Sequence, residues 1–251
     1  MIQVEPAQYH TFIPCAERTA ANRVYPRSIA EGRQSGAIFA DLPEAPRCVL
    51  FWHYCGFAYL SGAVSDALLD EIEADICHRD RRRMVLITDD EAVARYLQDR
   101  QDAVTTRLEY EYGGDSVTSR MPAGIRLERI DAGNLKRISG RIVPAFSWDG
   151  DSFLRGGFGY AAFDGDTFCG VAFSAAVSDD EVDIGVEVSA DHRGRGIATA
   201  LVHRMCEDTI EQGKRPVWAH GEGNLASRAT ALACGFVQRK INWCASLKQA
   251  E

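Results

Sequence analysis

The sequence contains no C-x-x-C pair. Its eight cysteines, at 15, 48, 55, 77, 169, 206, 234 and 244, stand apart, which excludes the ligand spacing of a zinc ribbon and the dithiol of a redox motif. His53 with Cys55 and Cys77 with His78 are close Cys/His pairs, but neither repeats nearby. No metal is expected, and the thiols read as reduced and mostly buried. Long apolar runs are also missing: nothing approaches the roughly 20 residues that span a bilayer. The opening MIQVEPAQYH carries neither the basic nor the apolar region of a secretory leader, so a cytoplasmic protein without membrane contact is expected. Positive charge is scarce. Lys and Arg number 28 against 36 Asp and Glu, a formal net charge of -8. A duplex binder usually shows a basic stripe. The one dense run here, RDRRR at 79–83, follows the acidic DALLDEIEADICH and reads as a solvated face. No nucleic-acid partner is expected; a cationic small molecule or peptide fits the acidic balance better, by steering.

What is present is a chain of 251 residues, 46% apolar and 25% charged, enough for two modest domains with real cores. Residues 48–63, CVLFWHYCGFAYLSGA, are aromatic and β-branched and predict strands around Gly56. Ser65 then caps a helix that places Leu68, Leu69, Ile72 and Ile76 at helical spacing. RRMVLITDD predicts a strand, DDEAVARYLQDR a helix with acids in its first turn, and RLEYEY another strand. The turn-rich GGDSVTSRMPAG at 113–124 marks a boundary. An α/β accessory domain over 1–120 and a second α/β (α+β) domain over 121–251 are expected, with no repeat visible between them.

The second domain reads β-α-β-β-β-α-β-α-β. GIRLERID is its first strand and AGNLKRISGRIVPAF its first helix. Three strands follow, joined by the turns DGD and SDD. A helix from about Gly196 to Gln212, the strand RPVWAHG, the helix NLASRATALAC and the closing GFVQRKINWCASL complete it.

The strand VDIGVEVS runs straight into HRGRGIA, residues 192–198. No lysine follows the glycines, so this is not a Walker A loop. Gly194 and Gly196 begin a G-x-G-x-x-G pattern, but residue 199 is Thr, and three strands precede it where a βαβ unit should start. R-x-x-G-x-A fits instead, through Arg193, Gly196 and Ala198. Bare glycines let successive N–H groups converge on an anion, and the helix N-terminus adds free donors and its positive dipole end. Arg193 and Arg195 add mobile charge. That chemistry suits a pyrophosphate; a tight strand-to-helix turn with no ligand is the alternative.

On this topology R-x-x-G-x-A resembles the GNAT superfamily of N-acetyltransferases, over about residues 123–247. SWDGDSFLRGGFGYAAF, the acid in VDIGVEV and PVWAHGEGNLASRATALACGF are similar to the subfamily of zwittermicin A resistance acetyltransferases. The resemblance implies a C-terminal acyl-CoA N-acyltransferase fold, acetyl-coenzyme A as co-substrate, and direct transfer of acetyl to a primary amine in a ternary complex. It places the pantetheine arm on the backbone of Val186, Glu187 and Val188, a form of strand addition. The pyrophosphate falls to backbone amides of Arg193, Gly194, Arg195, Gly196, Ile197, Ala198 and Thr199. Asn224 and Ser227 are the polar and small residues expected to face the cofactor; Asn224 also reads as a helix N-cap. The tyrosine that often protonates the leaving thiolate is replaced by Ala231.

A neutral amine must form, so a proton acceptor is needed. Asp183, Glu187 and His220 are the candidates, with Glu181 beside them. Strand alternation puts Asp183 and Glu187 on one face, where solvated acids are the competing reading. A structural role competes for His220. Trp148, Phe153 and Tyr160 either wall the acceptor site or belong to the core. Two other functions stay open: an acetyl-coenzyme A sensor without turnover, and an acetyltransferase of protein lysines or N-termini. Oligomeric state is open, a homodimer included.

Overall fold

The computed structural model describes residues 1–77, 83–100, 103–114 and 119–247. Most of the basic run at 79–83 and part of the 113–124 boundary lie outside them. The chain divides into two compact units, Met1–Leu108 with Lys240–Glu251, and Glu109–Arg239. The end of the chain thus belongs to the first unit, where a single boundary near 120 was expected.

In the first unit β1 (Ile2–Gln3) leads through a 3-10 segment to α1 (Ile13–Glu17) and α2 (Val24–Ala30). Then come β2 (Gly36–Ala40), β3 (Cys48–His53) and β4 (Phe57–Gly62). α3 (Asp66–Glu71) continues as a π-helical stretch, Ile72–Cys77, and is followed by β5 (Met84–Thr88), α4 (Glu91–Asp99) and the start of β6 (Ala103–Tyr112). β1 to β4 pair antiparallel in order, β4 pairs parallel with β5, and residues 243–247 close the far side of β5. Every residue of β3 is buried, because both sheet faces are covered. Leu50 and Trp52 join Leu69, Ile72 and Leu97 of the α3 and α4 layer. Val49 and Phe51 join Phe12, Ala16 and Ile29 on the other face. Alternation therefore separates two apolar faces rather than an apolar and a polar one. The expected Ser65 cap is present, its hydroxyl accepting from Leu68 N at 3.3 Å.

The second unit runs β7 (Ile125–Arg129), α5 (Ser152–Gly156), β8 (Gly159–Asp164), β9 (Thr167–Val177), β10 (Glu181–Val188), α6 (Ile197–Glu211), β11 (Arg215–Gly221), α7 (Leu225–Ala233) and the start of β12 (Phe236–Leu247). Its sheet order is β6-β11-β10-β9-β8-β7. The helix expected from AGNLKRISGRIVPAF does not form: the segment holds two 3-10 turns, Leu135–Arg137 and Pro144–Phe146, joined by irregular backbone. Gly140, at φ 151°, and Pro144 interrupt any longer helix.

The units share an element order that the sequence does not reveal. Each sets helical segments after its first strand, then three antiparallel strands, a helix, a strand parallel to the third, and another helix.

Candidate functional site

β10 is held by β9 along its whole length, from Val182↔Val177 to Val188↔Gly170. Its parallel ladder to β11 covers only Glu181–Asp183. Beyond Asp183 the two parallel strands part. The β9 register shifts at the same place, between Asp183 and Ile184, and such a bulge bends the strand. Residues 186–188 therefore carry a backbone edge turned toward open space.

α6 starts where that edge ends. Gly196 is its N-cap at φ 82°, with no acid in the first turn, and among the described residues no side chain caps it. Gly194 is also left-handed, at φ 73°. A Cβ built on either glycine meets nothing within 4 Å, so backbone conformation and open space, not packing, require glycine here. Ile197, 1% exposed, anchors the first turn in the core. The N–H groups of that turn are directed outward with no internal partner.

The edge and the turn share a cavity of ≈ 620 Å³. Of the expected cofactor residues, Val186, Glu187, Val188, Arg193, Gly194, Gly196, Ile197, Ala198, Thr199, Asn224 and Ser227 line it. Arg195 does not; its guanidinium turns to Asp164, 4.0 Å away. Asn224 fulfils its capping reading as well, Oδ1 accepting from Ser227 N at 3.1 Å. Ser227 Oγ accepts from the buried Trp218 Nε1 at 3.0 Å, which fixes the small residue on the wall. Arg141, Ile142, His192, Ala226 and Thr230 line the cavity too, and sequence reasoning missed them. Thr230 lies three residues after Ser227, a helical spacing that could have been used. Arg141 and Ile142 fall in the segment expected to be helical and had no signal.

The proton-acceptor candidates separate. Glu187 is on the cavity wall, but its Oε2 accepts from Arg141 N at 2.8 Å and also from Ile142 N. Asp183 is buried, 3% exposed, in the ladder opposite Ala176 and Val217. Glu181 pairs with Arg215 at 2.8 Å. His220 is buried and stacked on Tyr110, ring centroids 5.2 Å apart. Its Nδ1 lies 2.8 Å from the Gly221 carbonyl and its Nε2 3.1 Å from the Tyr110 hydroxyl. A carbonyl only accepts, so Nδ1 carries the hydrogen and Nε2 accepts from tyrosine. Neither Asp183 nor His220 is among the cavity-lining residues. Ala231 is fully buried.

The aromatics belong to the core. Trp148 donates to the Ser174 carbonyl at 2.7 Å and meets Phe153 edge to face, and Tyr160 donates to Asp208 at 2.6 Å. Burial raises the thiol pKa of Cys169, pushes Cys234 up to about 12 and raises Cys206 further. Such thiols are poor nucleophiles. Among the described residues no group of three or more His, Cys, Asp or Glu could hold a metal ion, and no helix is long and apolar enough to cross a membrane.

The mixed α/β unit thus sets a parted strand pair beside an uncapped, glycine-turned helix. The chain belongs to the GNAT acetyltransferase family, whose profile matches residues 17–242. No curated protein matches it in sequence. Among solved structures it is similar to a GCN5-related N-acetyltransferase-like protein from Streptococcus suis, with 18% identity, TM-score 0.74, and 97% of this chain and 100% of that one covered. A GCN5-related N-acetyltransferase from Kribbella flavida matches at 14% identity and TM-score 0.64, over 92% and 97% of the two chains. A tandem GNAT protein from the clavulanic acid biosynthesis pathway matches at 12% identity and TM-score 0.60, over 100% and 99%. At these identities the likeness is one of fold. Family and fold make the protein a transferase of the acetyl-transferring kind.

Proposed function

We propose that the protein transfers acetyl from acetyl-coenzyme A to the primary amine of a small molecule, by direct attack within a ternary complex. One observation carries this reading: the open edge of β10 and the uncapped start of α6 share one cavity. The N–H groups of residues 194–199 suit a pyrophosphate, with Arg193 N turned to the Ala190 carbonyl, and the free edge at Val186–Val188 suits the amide-bearing pantetheine arm. A backbone N–H on that edge would polarise the thioester carbonyl as charge develops on its oxygen. The small-molecule acceptor rests on the resemblance of segments 147–163 and 216–236 to the zwittermicin A resistance acetyltransferases.

The amine must lose a proton. Of Asp183, Glu187 and His220, Glu187 reaches the cavity directly. Asp183 and His220, buried and outside the cavity lining, would act only through water. With Ala231 sealed in the core, the coenzyme A thiolate leaves without a tyrosine acid.

The test is thiol release from acetyl-coenzyme A with panels of amine antibiotics, polyamines and peptides. Release with a small amine is expected. Cofactor binding without release from any acceptor would make the protein a sensor, and release with peptides alone would make it a protein acetyltransferase.

A further inference from the structure

We infer that Glu187 is a positioning residue, whose carboxylate latches the 140–142 loop in place as one wall of the cleft. The inference rests on the acetyl-coenzyme A reading above for the identity of the cleft's occupant. The latch itself stands on geometry. Two consecutive backbone amides, Arg141 and Ile142, converge on a single oxygen, Oε2 of Glu187. Consecutive N–H groups aimed at one point form an anion-binding nest, and here the anion is the protein's own. Gly140 permits the approach. It sits at φ 151°, and a Cβ there would lie 3.0–3.1 Å from the Glu187 carboxyl atoms.

Gly140 and Arg141 are exposed, and the segment spans the gap between the 3-10 turns Leu135–Arg137 and Pro144–Phe146. Yet Arg141 and Ile142 line the cavity together with Glu187. One side chain of β10 thus ties irregular backbone to the strand whose edge suits the pantetheine arm.

The test uses the full chain, coenzyme A itself as ligand, and two variants. Glutamine keeps a carbonyl oxygen able to accept two N–H groups, whereas alanine keeps none. Hydrogen exchange at the Arg141 and Ile142 amides reads the latch without any ligand, and calorimetry reads the wall. For Glu187→Ala both amides should lose protection and coenzyme A should bind about tenfold more weakly, with thermal unfolding unchanged. Glu187→Gln should restore protection and bring affinity to within about threefold of the parent. Alanine matching the parent in exchange and affinity would overturn the inference. So would glutamine failing as badly as alanine, because charge rather than the latch would then be at work. If the parent binds no coenzyme A, the functional reading fails, while amide exchange still decides whether Glu187 holds the loop.

Discussion

The two units connect their third antiparallel strand to the next helix in opposite ways. In the first, β4 reaches α3 through residues 63–65, and Ser65 caps the helix with Asp66 in its first turn. Gly62 is there to let chain pass chain: a Cβ on it would fall 2.0 Å from the Arg47 carbonyl oxygen. In the second, β10 reaches α6 through Gly194 and Gly196, whose missing Cβ atoms face empty space. The later helices repeat the contrast. α4 is capped by Asp90 with Glu91 behind it, whereas α7 is capped by neutral Asn224 with no acid in its first turn. A helix N-terminus is an anion site only while its donors and positive end are free. The first unit has satisfied both helix starts with its own acids and hydroxyls; the second leaves the start of α6 open. Shared element order therefore does not fix how a helix begins.

The sharpest way to break the comparison is to give α6 what α3 already has. Gly196→Glu should weaken coenzyme A at least about a hundredfold, through left-handed strain, clash and charge at the anion site. Calorimetry measures it, and unchanged affinity would remove the loop from the site.

A second difference lies in acid response. His53, wholly buried in the first unit, has its pKa lowered by burial to about 3. Unfolded, it takes a proton near pH 6.5, so between pH 6.5 and about 3 the unfolded state binds a proton that the native state refuses. Stability should therefore fall as pH drops through that window, by up to about 1.4 kcal/mol per unit. Urea unfolding of the parent and of His53→Gln at pH 7, 6 and 5 checks it, with the variant's profile the flatter.

The smallest effects separate capping from binding. Asp90→Ala and Asn224→Ala should each cost about 1 kcal/mol of stability, the usual value of an N-cap. Only Asn224→Ala should also weaken coenzyme A, by a few-fold, because Asn224 lines the cavity and Asp90 lies in the other unit. Equal loss of affinity in both would erase the distinction.

Much of the site was legible because its chemistry is local. Glycine at 194 and 196, an apolar residue at 197 and three strands upstream are contiguous signals, and the cavity gathers ten of the eleven expected cofactor residues besides Glu187, with Arg195 the exception. Strands β3, β4, β8, β9 and β10 and helices α3, α4, α6 and α7 were legible for the same reason. What lay hidden depends on distant partners. The 132–146 segment has helical composition, yet its backbone answers to Gly140, Pro144 and a carboxylate 46 positions away on β10. His220 stood between a catalytic and a structural reading, and the partner that fixes it, Tyr110, lies 110 positions earlier. The repeated architecture escaped notice because glycines stand at the start of α6 where Ser65 and Asp66 stand at the start of α3.

Coenzyme A titration of the intact chain tests the central claim most directly. One equivalent per chain should bind in the parent and none in Gly196→Glu. Two equivalents in the parent, or one retained in the variant, would contradict the assignment of the open cleft in the second unit.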